Sequence, residues 1–63
     1  MKIRTHLRAA IRYYTVQPGD TLIQISRKMY GTPNRWLDIC NANRPPIRDC
    51  NLIQPGWVLR IPD

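Results

Sequence analysis

The sequence predicts an α+β domain in which two helices pack on one face of a two-stranded antiparallel sheet. Three observations support this prediction. A β-branched and aromatic segment at residues 13–17 and an alternating segment at residues 57–61 have the composition of strands. Between them lie two stretches with helical periodicity, separated by a glycine and a proline. Neither helix is long enough to be stable alone, so both must pack against the strands.

Length and charge divide the chain into two parts. It has 63 residues, and a chain of this size buries only roughly 60% of its surface, which leaves no room for a two-lobed enzyme. Ten Lys and Arg residues against four Asp give a net charge of +6. Four of the basic residues fall in the first twelve positions, where there is no acid. We therefore assign residues 1–12 to a basic N-terminal arm and residues 13–63 to the domain.

The first strand is predicted at residues 13–17 and is followed by a Pro-Gly-Asp turn at residues 18–20. Thr21 and Gln24 have the spacing of a capping box, which starts a helix. The aspartate of the turn, Asp20, is a competing N-cap one residue earlier. The buried face of this first helix is predicted to contain Leu22, Ile25 and Met29, and Ile23 is an open candidate for the same face.

The second helix follows directly. Gly31 is predicted to end the first helix, and Thr32 then serves as N-cap with Pro33 at the first helical position. The pair of prolines at positions 45–46 cannot continue a helix, so the second helix should end near Asn43. Its buried face is predicted to contain Trp36, Ile39, Cys40 and Asn43. A loop rich in Pro, Asn and Asp then leads to the last strand.

Separated blocks of the sequence carry a family resemblance. These blocks are Tyr14–Leu22, Ile25 with Tyr30-Gly31, Trp36 with Ile39 and Asn43, and Asn51–Pro62. Together they look like a LysM domain, because their order and spacing along residues 13–62 follow the family pattern. The resemblance implies a βααβ fold. It also implies a non-catalytic module of the kind that typically binds N-acetylglucosamine polymers such as peptidoglycan or chitin.

The resemblance also implies a site. In the family, sugar is held in a shallow groove between the first strand–helix turn and the loop before the last strand. Carried onto this sequence, the carbohydrate-binding groove would comprise Gly19, Asp20, Thr21, Leu22, Asn51, Leu52 and Ile53. Free N–H groups at a helix start suit an acetamido sugar, and Leu52 and Ile53 would contact its methyl group. The same residues also have structural explanations as turn, caps and core, and both interpretations stay open.

The arm has a pattern of its own. Apolar and cationic residues each recur every four positions, which on a helix would form two adjoining stripes. We expect this arm to bind a partner protein through Lys2, Ile3, Arg4, Leu7, Arg8, Ile11 and Arg12. An unstructured, solubilising terminus and a helix on an anionic lipid surface are the alternatives.

The predicted role follows from what accompanies the module. A single copy without repeats, linkers or a signal peptide resembles the small LysM proteins of phage tails and phage-tail-like contractile particles. This resemblance predicts an adaptor at the baseplate or hub–spike, synthesised in the cytoplasm and bound to other tail subunits. The alternative is a peptidoglycan-binding protein of the cell envelope, whose partner is an N-acetylglucosamine-containing glycan.

The inventory of reactive side chains argues against catalysis. Ser26, predicted on the polar side of the first helix, and His6 in the arm have no third group to form a triad. Cys40 and Cys50 with one distant histidine do not supply the four ligands of a metal site. No enzyme activity, metal or cofactor is therefore predicted. No nucleic-acid motif or membrane-spanning stretch is present either.

The redox state of the two cysteines is a separate prediction. Without an export signal, Cys40 and Cys50 are expected to be reduced thiols that pack as small apolar residues. One bridge between them is the alternative.

Overall fold

The computed structural model describes residues 12–63. The elements in chain order are strand β1 (Arg12–Thr15), helix α1 (Leu22–Tyr30), a 3-10 turn (Pro33–Arg35), helix α2 (Trp36–Ala42) and strand β2 (Val58–Ile61). The two strands pair antiparallel, from Arg12 opposite Ile61 to Thr15 opposite Val58. The predicted βααβ architecture is therefore confirmed. In this described part of the chain, no helix is long and apolar enough to cross a membrane.

The core lies between the sheet and the two helices. Its buried apolar side chains are Val16, Leu22, Ile25, Ile39, Cys40, Ile47, Leu59 and Ile61. Along β2 burial alternates strictly, with Leu59 and Ile61 inside and Val58 and Arg60 exposed. Such alternation is typical of a sheet with one covered face. The other face of the sheet is open to solvent.

Local signals determine both ends of α1. The Thr21 hydroxyl accepts a hydrogen bond from the Gln24 amide at 3.3 Å, and the Gln24 side chain accepts one from the Thr21 amide at 3.1 Å. This is the predicted capping box. Gly31 ends the helix with a left-handed φ of 78°, and its amide donates to the Arg27 carbonyl. Both predicted boundaries are confirmed.

The second helical segment begins differently from its prediction. Thr32 accepts a hydrogen bond from the Asn34 amide and Pro33 follows it, as predicted, but these residues open a 3-10 turn. The α-helix itself begins at Trp36 and ends at Ala42, one residue before the predicted position. Tighter 3-10 turns are frequent at helix starts, and the sequence pattern does not distinguish them from α-helix.

Asn43 links the end of α2 to β2. Its side-chain amide donates to the carbonyls of Ile39 at 2.7 Å and Arg60 at 2.9 Å, while its oxygen accepts from the Arg60 amide at 2.8 Å. The Asn43 side chain thus pairs with the backbone of Arg60 as a neighbouring strand would. Because Asn43 is buried, these bonds also satisfy its own polar atoms.

Ser26 is not on a polar face, and that prediction was wrong. It is fully buried, its hydroxyl donates to the Thr32 carbonyl, and it accepts from the Arg35 amide. Ser26 therefore connects α1 to the start of the second helical segment. Helical periodicity counts a serine as polar, and a buried serine with two backbone partners escapes that criterion.

The prediction of two reduced thiols was also wrong. Cys40 and Cys50 form a disulfide, with their Cα atoms 5.6 Å apart. Ile47 lies in the core and its amide donates to the Asn43 carbonyl, so the chain turns back after α2. This turn brings Cys50 to the side of α2. The compartment in which a protein resides does not determine the path of its chain, so it could not predict this pairing.

Arg12 belongs to the domain and not to the arm, which corrects its predicted assignment. It is the first residue of β1, its guanidinium donates to the Met29 carbonyl at 3.0 Å, and it lies 5.4 Å from the centre of the Tyr30 ring. The other residues predicted to bind a partner lie outside the described residues: Lys2, Ile3, Arg4, Leu7, Arg8 and Ile11.

Candidate functional site

A groove of about 210 Å³ opens between the start of α1 and the loop that precedes β2. Its lining residues are Thr21, Leu22, Ile23, Trp36, Cys50, Asn51 and Ile53. None of these side chains is charged. The volume is below the ~300–1,000 Å³ of sites for drug-sized molecules, so the groove suits one small chemical unit of a longer ligand.

One wall is the first turn of α1. Leu22 is buried and Ile23 is 47% exposed, so this wall has one apolar side chain fixed in the core and one that a ligand can contact. Within residues 12–63 the amides of Leu22 and Ile23 have no acceptor. Such unpaired donors are a general property of helix starts, and they are available to an acceptor on a ligand. This surface is called the helix wall below.

The opposite wall is the segment Cys50–Ile53, called the loop wall below. A turn shapes it, because the side chain of Asp49 accepts from the Asn51 amide and the Asp49 carbonyl accepts from the Leu52 amide, both at 2.9 Å. Ile53 is half-buried and packs against the core. The disulfide ties the wall to α2 through Cys50. The loop wall therefore has one covalent and one apolar attachment.

Four of the seven residues predicted for the groove line it: Thr21, Leu22, Asn51 and Ile53. The other three do not. Gly19 lies in the turn before α1 with a φ of 86°. Leu52 is 65% exposed and is not among the lining residues, so it does not form the predicted apolar wall beside Ile53.

Asp20 holds the turn before the groove together. Its carboxylate accepts from the Tyr14 hydroxyl and from the Gln17 amide at 2.9 Å, and it lies 3.4 Å from the Lys28 ammonium. The Tyr14 hydroxyl foremost, and then the Gln17 amide, lower the pKa of Asp20 below its ordinary value. Thr21, and not Asp20, caps α1. Asp20 thus stabilises the turn that leads into the helix wall and does not itself line the groove.

Three lining residues were missed by sequence reasoning. Trp36 was predicted to lie in the core, and it does pack against the core, but its half-buried ring also lines the groove. Ile23 follows Leu22 at the helix start, so the predicted lining could have been extended by one residue to include it. Cys50 could only have been found by knowing its disulfide partner.

The lining of the groove is poor in titratable side chains. Its lining contains no carboxylate, histidine or free thiol. Within residues 12–63, no three His, Cys, Asp or Glu side chains come together in a way that could hold a metal ion. The chemistry that the groove does offer is hydrogen bonding from amides and contact with apolar and aromatic surfaces.

A groove that offers amides and apolar surface on a small α+β scaffold has the character of a binding site. The LysM domain model of protein families matches residues 14–62, which is most of the chain. The chain therefore belongs to the LysM family, whose members are generally non-catalytic binding modules.

Two relatives are similar to this chain. The potassium binding protein Kbp of Escherichia coli O6:H1 is 46% identical over 54 residues, which are 86% of this chain and 36% of Kbp. An uncharacterized protein of Deinococcus radiodurans is 45% identical over 49 residues, which are 78% of this chain and 19% of that protein. The chain thus spans about a third and a fifth of the lengths of these two relatives.

Proposed function

We propose that this LysM domain binds an N-acetylglucosamine-containing glycan, such as peptidoglycan or chitin, in the groove between the helix wall and the loop wall. The observation that carries the proposal is that one groove without charged lining side chains combines apolar surface with the Leu22 and Ile23 amides, which have no acceptor in the described part of the chain. Membership of the LysM family supports it.

The groove complements an acetamido group. The amides of Leu22 and Ile23 can donate to the acetamido carbonyl, and the Asn51 side chain can either donate or accept. Ile53 and the ring of Trp36 offer apolar contact to the methyl group and to the sugar face. Because no lining side chain is charged, recognition depends on shape and hydrogen bonds and should be nearly independent of salt.

The affinity for a short ligand is expected to be weak. One N-acetylglucosamine unit has about 15 non-hydrogen atoms, and at ~0.3 kcal/mol per atom it gains roughly 4–5 kcal/mol. This corresponds to a Kd of about a millimolar. Tight attachment to a polymer would then require several modules or additional contacts outside the groove.

Titration of the labelled protein with chitotetraose, followed by amide NMR shifts, tests the proposal. We expect the amides of Thr21–Ile23 and Asn51–Ile53 to shift, while Gly31, on the far end of α1, stays still. Cellotetraose is the matched control ligand, because it has the same backbone without acetamido groups and should produce no shifts. Unmoved groove amides at about 10 mM chitotetraose would end the proposal.

The adaptor role in a phage-tail-like particle is the weaker candidate. The relatives found do not support it, and the arm residues 1–11 on which it depends lie outside the described residues. Deleting residues 2–11 separates the two roles. An unchanged chitotetraose titration would assign glycan binding to the domain, whereas failure of the shortened protein to copurify with tail subunits would favour the adaptor role.

The name of the E. coli relative raises potassium binding for that protein. No specific feature of the groove favours a potassium ion here, and the match covers about a third of Kbp. The titration is therefore run in parallel in sodium and potassium chloride at equal ionic strength. Amide shifts that appear in potassium chloride but not in sodium chloride, with no glycan present, would support potassium binding by this chain.

A further inference from the structure

The disulfide of the loop wall can be reached from one side only. Cys40 is fully buried in the core, whereas Cys50 is partly exposed and lines the groove. A disulfide is opened when a thiolate attacks one of its sulfur atoms, and the attack requires access to that atom. An external thiolate can therefore reach the sulfur of Cys50 through the groove, and Cys40 must be the leaving group.

A fixed positive charge lies beside both sulfur atoms. Nη2 of Arg44 is 3.6 Å from Sγ of Cys40 and 3.5 Å from Sγ of Cys50. The guanidinium is held there because Nη1 donates to the Arg48 carbonyl at 3.1 Å and Nε donates to the Asn41 side chain at 3.3 Å. A positive charge at this distance stabilises a thiolate electrostatically and offsets the cost of forming that charge at buried Cys40. The leaving group would thus be stabilised as soon as it forms.

We propose that the Cys40–Cys50 disulfide is a reducible bond through which a dithiol lowers the affinity of the groove for glycan. The effect on glycan rests on the function proposed above, whereas the reducibility of the bond does not. The same covalent chemistry makes Cys50 a site of mixed-disulfide formation.

The reaction takes two steps. A reductant thiolate attacks Sγ of Cys50, a new S–S bond forms, and the electron pair of the broken bond leaves on Cys40 as a thiolate beside Arg44. The second thiolate of the reductant then attacks the reductant's other sulfur, which is bonded to Cys50 in the mixed disulfide. Cys50 is released as a thiolate. The protein disulfide gains two electrons, and the dithiol is oxidised to a cyclic disulfide. The two protons of the dithiol pass to the cysteines or to solvent.

Opening the bond releases the loop wall from α2. The hydrogen bonds that shape this wall run from Asn51 and Leu52 to Asp49, so they lie within the loop and do not fasten it to a helix. After reduction, the segment stays attached through Ile47 and Ile53, which pack in and against the core. The hydrogen bond from Arg44 to the Arg48 carbonyl holds only the start of the loop, before Cys50. The groove would then widen on one side while the core persists.

Coupling between reduction and binding must be reciprocal. If reduction weakens glycan binding by a given factor, bound glycan makes the disulfide harder to reduce by the same factor. A ligand in the groove would also cover Cys50 and slow the attack. The structure therefore assigns to the ligand a protective role towards the bond that shapes its site.

The first experiment treats the full-length labelled protein with dithiothreitol without glycan, and counts free thiols alongside amide NMR shifts. We expect the amides of 50–53 and 21–23 to shift while those of Ile25 and Leu59 stay in place. Groove amides that do not move on complete reduction would overturn the proposal. So would loss of the Ile25 and Leu59 signals, since the bond would then maintain the fold and not the groove.

The second experiment compares chitotetraose titrations of the oxidised and reduced protein. We expect the Kd to rise at least about five-fold on reduction, and the double variant Cys40→Ala/Cys50→Ala to bind like the reduced protein with or without dithiothreitol. Equal Kd values would overturn the coupling. If the oxidised protein does not bind chitotetraose, the proposed function fails, but the thiol counts and amide shifts still decide whether reduction opens the groove.

The role of Arg44 is tested by the rate of reduction. Removing its charge should destabilise the leaving thiolate and slow reduction roughly 3–10-fold in Arg44→Met. Arg44→Lys keeps the charge and should stay within about two-fold of the wild type. Arg48→Met is the matched control, since it removes one charge from the same loop without a side-chain contact to either sulfur. Equal rates in Arg44→Met and Arg48→Met would show that Arg44 does not assist the leaving group.

Discussion

The two walls of the groove are held in opposite ways. The helix wall is fixed by hydrogen bonds between residues three positions apart, Thr21 and Gln24. The loop wall is fixed by a bond to a residue ten positions earlier and by the packing of Ile53 against the core. The helix wall is built from neighbours in sequence and forms whenever α1 forms. The loop wall forms only once the chain has folded back on α2.

This difference gives the walls different roles. The helix wall keeps its geometry as long as α1 is intact, and among residues 12–63 its Leu22 and Ile23 amides have no acceptor. The loop wall depends on a bond that can be broken without dissolving the core. In a groove with one fixed and one releasable wall, the affinity for a ligand can change without unfolding of the domain.

The largest expected effect comes from removing the covalent attachment of the loop wall. Cys40→Ala/Cys50→Ala should lower the free energy of unfolding by about 3 kcal/mol, because a closed loop of this length restricts the unfolded chain by that amount. Urea denaturation followed by tryptophan fluorescence measures it. A loss below ~1 kcal/mol would mean that the loop is held mainly by its packing.

A smaller effect is expected when the cap of the helix wall is removed. Thr21→Ala should lower the free energy of unfolding by about 1 kcal/mol, since the Gln24 amide loses its acceptor. Thr21→Ser keeps a hydroxyl at the same place and should lose no more than a few tenths of that. If the two variants were equally destabilised, the methyl group of Thr21 and not its hydroxyl would be responsible.

The exposed edge of the helix wall should matter for binding more than for stability. Ile23→Ala should weaken chitotetraose binding about five-fold, equivalent to ~1 kcal/mol of lost apolar contact. Leu37→Ala is the matched control, because Leu37 is also 47% exposed but does not line the groove. An equal loss of affinity in both variants would place the glycan outside the groove.

The turn behind the helix wall should respond to acid. The pKa of Asp20 is lowered in the folded state, so its carboxylate stabilises the fold above its ordinary pKa of 3.8. That contribution declines as the pH falls below 3.8 and is gone below the folded pKa. Asp20→Asn should therefore show a shallower loss of unfolding free energy than the wild type as the pH falls through this range. Parallel curves would mean that Asp20 is not stabilised by its partners Tyr14 and Gln17.

Most of the secondary structure could be predicted from the sequence, whereas much of the groove lining could not. The capping box at Thr21, the stop at Gly31 and the alternation along β2 were all predicted, and the structure contains them. The family resemblance predicted a site between the turn before α1 and the loop before β2, and a groove lies there; that it binds carbohydrate stays a prediction. Its lining was only partly predicted, because Trp36 and Cys50 enter it through contacts between distant parts of the chain.

The sequence by itself determined where α1 begins and ends and which residues of β2 face the core. These features depend on interactions within about four residues and on the fixed periods of helix and strand. Only the tertiary structure decided that Cys40 pairs with Cys50, that Ser26 is buried and that Ile53, but not Leu52, lines the groove. The disulfide and the lining depend on the path of the chain after α2, and no local pattern encodes which side of a loop meets a helix that precedes it. Ser26 is buried by the packing of α1 against the 3-10 turn, which helical periodicity does not encode either.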